Sequence, residues 1–432
     1  MIVLIAIVGA VFTLGCLIAL FRVYSRKRII DDTPTSKAQG VFIGMTELKG
    51  TAESEAPLVS YLSGIRTVHY SWHVSEHWQR IVTETYTDAQ GRSHTRTRTE
   101  SGWKQVANGG GSQPFYLNDD TSMVRVVPER ASITGIETFN ETVNRDDPLY
   151  FGKGPLQEVA NSTHRRRFEE TAVPLHAALY VMGQARQRED VVAAEIAADK
   201  AAPMFIISMK TERQVSTGYG RWAWFWGIFG LLLAVGTAVA AGAVSNSFVA
   251  VPPVIAGVAY LGALAIGWVW TVYNSLVNLH HRVEQAWSQV DVQLKRRNDL
   301  IPNLVEAVAG YRDYESGTQQ LVTELRGQMA ATPPGVSGPD FKGMAPGLRV
   351  VIERYPDLKT SESFLRLQNS LVDTEQRIAL ARDYFNETAT FFNTRLAIIP
   401  ERFVAALARF RPRTLMSAAD FERAPVEVNL AA

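Results

Sequence analysis

Three stretches of the 432-residue chain carry no charged side chain: Met1 to Phe21, Trp222 to Val244 and Phe248 to Trp270. Each is 21 to 23 residues long, and about 20 apolar residues in helical form cross the ~30 Å hydrocarbon layer of a bilayer. The pattern predicts three transmembrane helices. No basic segment precedes the first, and no small-residue cleavage site stands before the basic run Arg22 to Arg28, so it reads as an uncleaved anchor rather than a secretory signal.

Between the first two stretches the period changes. A basic juxtamembrane segment and a Pro/Thr/Ser linker occupy 22–37. Beyond it Val68, Tyr70, Trp72 and Val74 alternate with His69, Ser71, His73 and Ser75, the period of a half-buried strand. Arg80 to Thr87 and Arg92 to Glu100, joined across Asp88-Ala89-Gln90-Gly91, predict an exposed hairpin. Further strands are expected at Pro114 to Leu117, Met123 to Pro128 and Met204 to Met209, with one short helix over Glu189 to Asp199. The expectation for 38–213 is a compact, mostly β (α+β) domain. His69, His73 and His77 recur every four residues, but on a strand that spacing spans ~13 Å, too far for one zinc ion. Arg165-Arg166-Arg167 is expected to form a solvated face.

After the third stretch no helix breaker occurs until Pro302, so the span is expected to run on as a long helix that Pro302 kinks or restarts. Leu276, Val283 and Val290 share one seven-residue register, interrupted by Arg297; Trp287 and Leu294 share another. A cleaner register runs through Phe364, Leu371, Ile378, Phe385 and Phe392, flanked by Leu367, Thr374, Ala381 and Thr388. Such repeats specify knobs-into-holes packing. The expectation for 271–432 is an antiparallel α-helical bundle continuous with the third span, with a Pro/Gly-rich loop at 332–347. Asp291, Arg296, Asp299, Glu375, Arg377 and Arg382 are expected to be surface ion pairs.

Charge adds an orientation. The chain holds 44 basic and 43 acidic residues, all outside the three uncharged stretches, which argues against nucleic acid as a partner. Arg22, Arg26, Lys27 and Arg28 follow the first span, Arg221 precedes the second, and Arg282 follows the third. Short flanks rich in Lys and Arg stay cytoplasmic. The N-terminus and the 245–247 turn should then lie outside and both large segments in the cytoplasm, as in a multi-pass protein of a bacterial inner membrane. Trp222, Trp224, Trp226, Trp268 and Trp270 would sit at the inner interface, where amphipathic rings are favoured. Cys16 is the one cysteine, which excludes an intramolecular disulfide and a Cys-based zinc site. No catalytic, metal-binding or cofactor-binding set is found, and none is expected.

The segments FIGMTELKGTAESEAPLVSYLSG, TVHYSWHV, GSQPFYLNDDTSMVRVVP, RRRFEETAVPLHAALYVMG and APMFIISMK resemble the GIDE domain of mitochondrial-type membrane E3 ubiquitin ligases and their bacterial relatives. Thr67 and Ser122 stand where that family often has Cys and Gly. Ligase activity in those relatives belongs to a separate RING with cysteine and histidine ligands, so the resemblance does not imply ubiquitin transfer here. The C-terminal part, through DVQLKRRNDLIPNLV, RYPDLK and the tail IIPERF, resembles the LemA family. That resemblance implies a membrane-anchored helical bundle facing the cytoplasm, without an assigned enzymatic activity. The expected function is an oligomeric scaffold that organises or shapes the membrane, with the β domain as a binding head. An adaptor for a membrane quality-control or stress-response partner is the alternative, and a ligase-like enzyme is disfavoured.

Overall fold

The computed structural model describes residues 2–87, 93–188, 193–200, 202–244, 251–309 and 362–416. The 88–91 turn, the 245–247 turn, the 332–347 loop and the RYPDLK motif lie outside the described residues. The chain divides into two compact units, residues 35–215 and a helical unit made of residues 1–34 with 216–432.

Unit 35–215 is built from twelve strands. One sheet contains β1 (Gly44–Glu53), β5 (Phe115–Asn118), β6 (Met123–Val126), β7 (Ser132–Thr134), β10 (Ala178–Gln187), β11 (Ala194–Ala197) and β12 (Ile206–Ser208). Within it the path β1-β5-β6-β11-β10 returns to β1 through antiparallel pairing, so five strands close on themselves and leave no free edge. Leu48, Phe115, Leu117, Val126, Val181 and Ile196 fill the interior. The second sheet contains β2 (Leu58–Val59), β3 (Arg66–Thr87), β4 (Ser93–Ser112), β8 (Ile136–Asn144) and β9 (Ser162–Pro174), with the short helix α2 (Pro148–Gly152) after β8. Strand β3 has both neighbours only as far as Trp78; beyond it β3 and β4 continue as a two-stranded arm.

The strand expectations hold at β3, β5, β6 and β12. The helix expected over Glu189 to Asp199 is corrected: Ala194–Ala197 is β11, paired antiparallel with β10 and parallel with β6. Two ladders and the burial of Ile196 override the helical preference of alanine. Arg166 also departs from expectation. Alternation along β9 turns Arg166, Phe168 and Glu170 inward together, and Arg166 is fully buried.

The helical unit holds α1 (Ile2–Asp31), α3 (Glu212–Val244), α4 (Val251–Ala309), α5 (Glu362–Ala397) and α6 (Glu401–Leu407). Three of these helices, α1, α3 and α4, contain stretches long and apolar enough to cross a membrane. Gly9 meets Thr237 and Lys27 meets Gly220, so α1 and α3 run antiparallel. Any side chain at Gly230 would collide with Cys16 and the Tyr260 hydroxyl, so this glycine sets the approach of α1, α3 and α4. Tyr260 Oη donates to the Gly227 carbonyl at 2.9 Å, satisfying its hydroxyl among apolar neighbours. Outward-facing apolar residues such as Phe12, Leu232 and Val258 remain 63%, 65% and 65% exposed.

Helix α4 runs 59 residues without interruption, and Pro302 lies inside it. Of the two expectations for Pro302, a kink or a restart, the restart is therefore corrected. A proline withdraws one donor from the turn, and the Asn303 side chain adds a donor there, reaching the Asp299 carbonyl at 3.5 Å. Helix α5 packs antiparallel along α4: Trp287 meets Phe385, with ring centroids 5.4 Å apart, and His280 meets Phe392 at 5.6 Å.

Candidate functional site

A buried polar cluster forms where the end of α1, the middle of α4, the end of α5 and the start of α6 converge. It begins with four charged residues: Arg28 on α1, Asp32 just after it, Arg395 on α5 and Glu401 on α6. Arg28 and Glu401 are only 3% and 6% exposed, so each needs a partner in place of water. Arg28 lays its fork on Glu401 at 2.7 and 3.2 Å. Arg395 does the same to one oxygen of Asp32, at 2.9 and 2.7 Å, and reaches Glu401 at 3.4 Å. The other Asp32 oxygen accepts from Ser275 at 2.8 Å.

Helix α4 supplies the remaining wall. Arg282 donates to the Asp32 carbonyl at 3.3 Å and to the Thr33 hydroxyl, while Thr33 Oγ1 donates to the Ile29 carbonyl at 2.6 Å. Asp32, Thr33 and Pro34 are buried, so the stretch read as a linker is fixed structure at its start. Ser25, Arg28, Asn274, Ser275, Asn278 and Arg282 line a cavity of about 70 Å³ beside the cluster, together with Asp32 and neighbouring side chains. Below it Val272, Leu276, Val404 and Ala405 form an apolar floor, with Trp268 and Phe410 packed against them.

Most of the expected packing residues line the α4–α5 contact. Leu276, Val283, Val290, Leu294, Leu371, Ile378, Phe385 and Phe392 are buried, and Trp287 is half-buried. The Phe364 side chain lies outside the described residues. Thr374, Ala381 and Thr388 are fully buried between the larger residues, each threonine hydroxyl returning its bond to its own helix. Arg297 is buried and lies 3.7 Å from Glu375. Burial pushes the Glu375 carboxyl up despite Arg297, and burial with Arg297 beside it pushes Arg382 down to about 10. The expectation of surface ion pairs is thus corrected for Glu375 and Arg382, which the helix contact desolvates; it stands for Arg296 and Arg377, which both meet Asp373 at the rim.

The interface candidates fall elsewhere. Trp222, Trp224 and Trp270 are exposed, while Trp226 and Trp268 are half-buried. Arg22, Arg26, Lys27 and Arg28 all lie on α1, and Arg221 on α3. Of these only Arg28 enters the cluster, and Lys27 pairs with Asp31 alongside it. Asp32, Arg282, Arg395 and Glu401 were not singled out as a site in the sequence. The bonds of Asp32 to Arg282 and Arg395 and of Arg28 to Glu401 join residues 250 to 373 apart, which leaves no local pattern. Among the described residues no group of three or more His, Cys, Asp or Glu is placed to hold a metal ion.

Comparison with known proteins agrees with two composite regions. The LemA family model matches residues 286–430, and the GIDE model, described as E3 ubiquitin ligase, matches residues 83–242. Protein LemA of Metamycoplasma hominis is 24% identical over 175 residues, 38% of this chain and 80% of that protein. The magnetosome protein MamQ of Magnetospirillum gryphiswaldense is 24% identical over 169 residues, and MamQ 2 of Paramagnetospirillum magneticum 23%. The chain spans 62% of the length of each MamQ protein, and those matches take in 32% of the chain. The chain therefore carries a LemA region at its C-terminal end and a GIDE region before it.

Proposed function

We propose that this protein is a membrane-anchored scaffold that assembles with copies of itself and organises the bilayer through its helical unit, with the β unit as a binding head. The observation that carries the reading is the continuity of α4, whose apolar first half becomes the partner of α5 without a break. Apolar faces left exposed on α1, α3 and α4 support membrane insertion, since soluble monomers rarely expose contiguous apolar patches of that size. The likeness to LemA and MamQ supports a membrane-associated, non-enzymatic role. In this reading the N-terminus faces outward and both large segments face the cytoplasm of an inner membrane.

Two measurements test it. A single cysteine placed at His94 or Arg411 in a Cys16→Ser background should react with an impermeant thiol reagent in inverted vesicles and not in intact cells. Imaging of the gently extracted protein should show particles of several copies. Uniform monomers would overturn self-assembly, and crosslinking in native membranes to one stoichiometric foreign protein would replace the scaffold by an adaptor.

A further inference from the structure

The cluster at the end of α1 is unbalanced. Three guanidinium groups, Arg28, Arg282 and Arg395, face two carboxylates, Asp32 and Glu401. Alongside them Lys27 pairs with Asp31 and Arg413 with Glu284. Among these five groups one positive charge is left over in a poorly hydrated place, where an uncompensated charge is costly.

The donors are incompletely used as well. Both carboxylates are committed, Glu401 to Arg28 and Arg395, and Asp32 to Arg395 and Ser275. Arg282 donates only to neutral oxygens, the Asp32 carbonyl and the Thr33 hydroxyl. The Arg28 Nε–H is buried without an acceptor. Arg28 and Arg282 both line the cavity, whose volume of about 70 Å³ is several times the space one water needs. Ser25, Asn274 and Asn278 add neutral donors to its wall, which Asp32 and Ser275, already bonded to each other, complete.

Depth narrows the choice of anion. The uncharged stretches end at Phe21 and Trp270, and the cavity lining begins at Ser25 on α1 and Thr271 on α4 and runs on to Asp32 and Arg282, so it starts within one to four residues of the apolar stretches, up to ~6 Å along a helix. The polar headgroup layer on each side of a bilayer is ~5–7 Å thick. On the reading that α1 and α4 span the bilayer, on which this inference rests, the cavity opens at headgroup level.

We propose that this cavity binds the phosphoryl group of an anionic lipid headgroup, with Arg28 and Arg282 as cationic donors and Asn274, Asn278 and Ser25 as neutral ones. Guanidinium groups suit this ligand because their planar forks match phosphate oxygens. The bound phosphate neutralises the surplus charge and gives the Arg28 Nε–H its acceptor.

The test uses the full chain, delipidated in detergent, with lipid adducts counted by native mass spectrometry. The probes are phosphatidylglycerol, phosphatidylcholine and inorganic phosphate. Expected is saturable binding of phosphatidylglycerol at least tenfold tighter than of phosphatidylcholine. Arg282→Gln and the cavity-filling Asn278→Phe should each weaken it about tenfold or more. Asn278 is exposed, so the second variant keeps the test open if the first folds poorly. Equal binding by wild type and both variants, or no preference for the anionic lipid, overturns the proposal. Inorganic phosphate competing at millimolar concentration would assign the cavity to a free anion and overturn the lipid source. Carbonate extraction of each variant separates the two readings: a chain that stays in the membrane but ignores the lipid sinks only this inference, whereas a chain washed off the membrane sinks the membrane reading too.

Discussion

Two buried arginine clusters in this molecule differ in how completely they are wired. In the β unit all five guanidinium hydrogens of Arg166 find acceptors: Glu76 at 3.1 and 3.0 Å, and the carbonyls of Tyr150, Pro155 and Gln157 at 2.8, 2.7 and 3.0 Å. Its plane lies 4.0 Å from the Tyr150 ring centroid, and Glu76 accepts further bonds from Tyr150 and Ser162. One charge meets one charge with nothing left over. The cluster at the end of α1 has three cations for two anions, a donor without an acceptor and an open cavity. Saturation marks the first as a structural pin for α2 and the loop after it. The deficit in the second leaves chemistry available to something outside the chain.

Breaking the saturated pin should cost most. Arg166→Met leaves Glu76 buried and unpaired, and removing one partner of a buried pair costs about 3–5 kcal/mol; thermal melting of the β circular dichroism signal should show it as a large drop. Unchanged melting would erase the contrast. Glu47 offers an intermediate case, a fully buried carboxyl that accepts from Thr35 at 2.6 Å and Tyr180 at 3.0 Å and has only the half-exposed Lys49 as cation. Burial, with Glu212 adding to it, pushes its pKa up to about 7 from 4.5. The folded form therefore holds its proton more tightly than the unfolded chain. The resulting stability is complete below about 4.5 and is lost as pH rises through about 7, an effect on the order of 2–3 kcal/mol. Melting at pH 5 and pH 8 should show the loss, and Glu47→Gln should flatten it; a profile unchanged in the variant would assign the pH dependence elsewhere.

Arg395→Met removes the fork from Asp32 but also relieves the surplus positive charge, so its cost should be nearer 2 kcal/mol, the scale of a lost charge-assisted hydrogen bond. A loss as large as that of Arg166→Met would mean the two clusters are wired alike. At the small end stands the exposed pair on the β3–β4 arm, where Arg80 meets Glu100 at 3.0 and 2.8 Å. Glu100→Gln should change stability by less than about 0.5 kcal/mol, within the spread of repeated melts.

What could be read from the sequence follows the same division between local and distant causes. The apolar helices were legible because 21 to 23 consecutive uncharged residues are a local property, and β3 because alternation shows within eight residues. The Arg166 pin was not, since its acceptors come from α2, the loop after it and a strand 90 residues away. The hairpin expected at Arg80 to Thr87 and Arg92 to Glu100 is an exposed arm over its described residues, whereas the basic Arg165 to Arg167 run hid one inward residue among outward ones. Alanines at Ala194 and Ala197 misled because sheet pairing, which no window of sequence contains, decided their conformation. Charged positions on α5 misled for a related reason: heptad spacing gives the face, and the contact partner sets the degree of burial.

The length of α4 carries a mechanical consequence. From Trp270 to Ile301 the helix continues 31 residues past its apolar half without a break, a stiff lever of ~47 Å at 1.5 Å per residue. On the proposed reading that the apolar half spans a bilayer, a tilt of about 5° sweeps the far end of that lever through roughly 4 Å, close to the rise of three helical residues. Because α5 is clamped along the same lever and its last turn grips Asp32 through Arg395, a tilt of the apolar half carries the α4–α5 pair with it as one body.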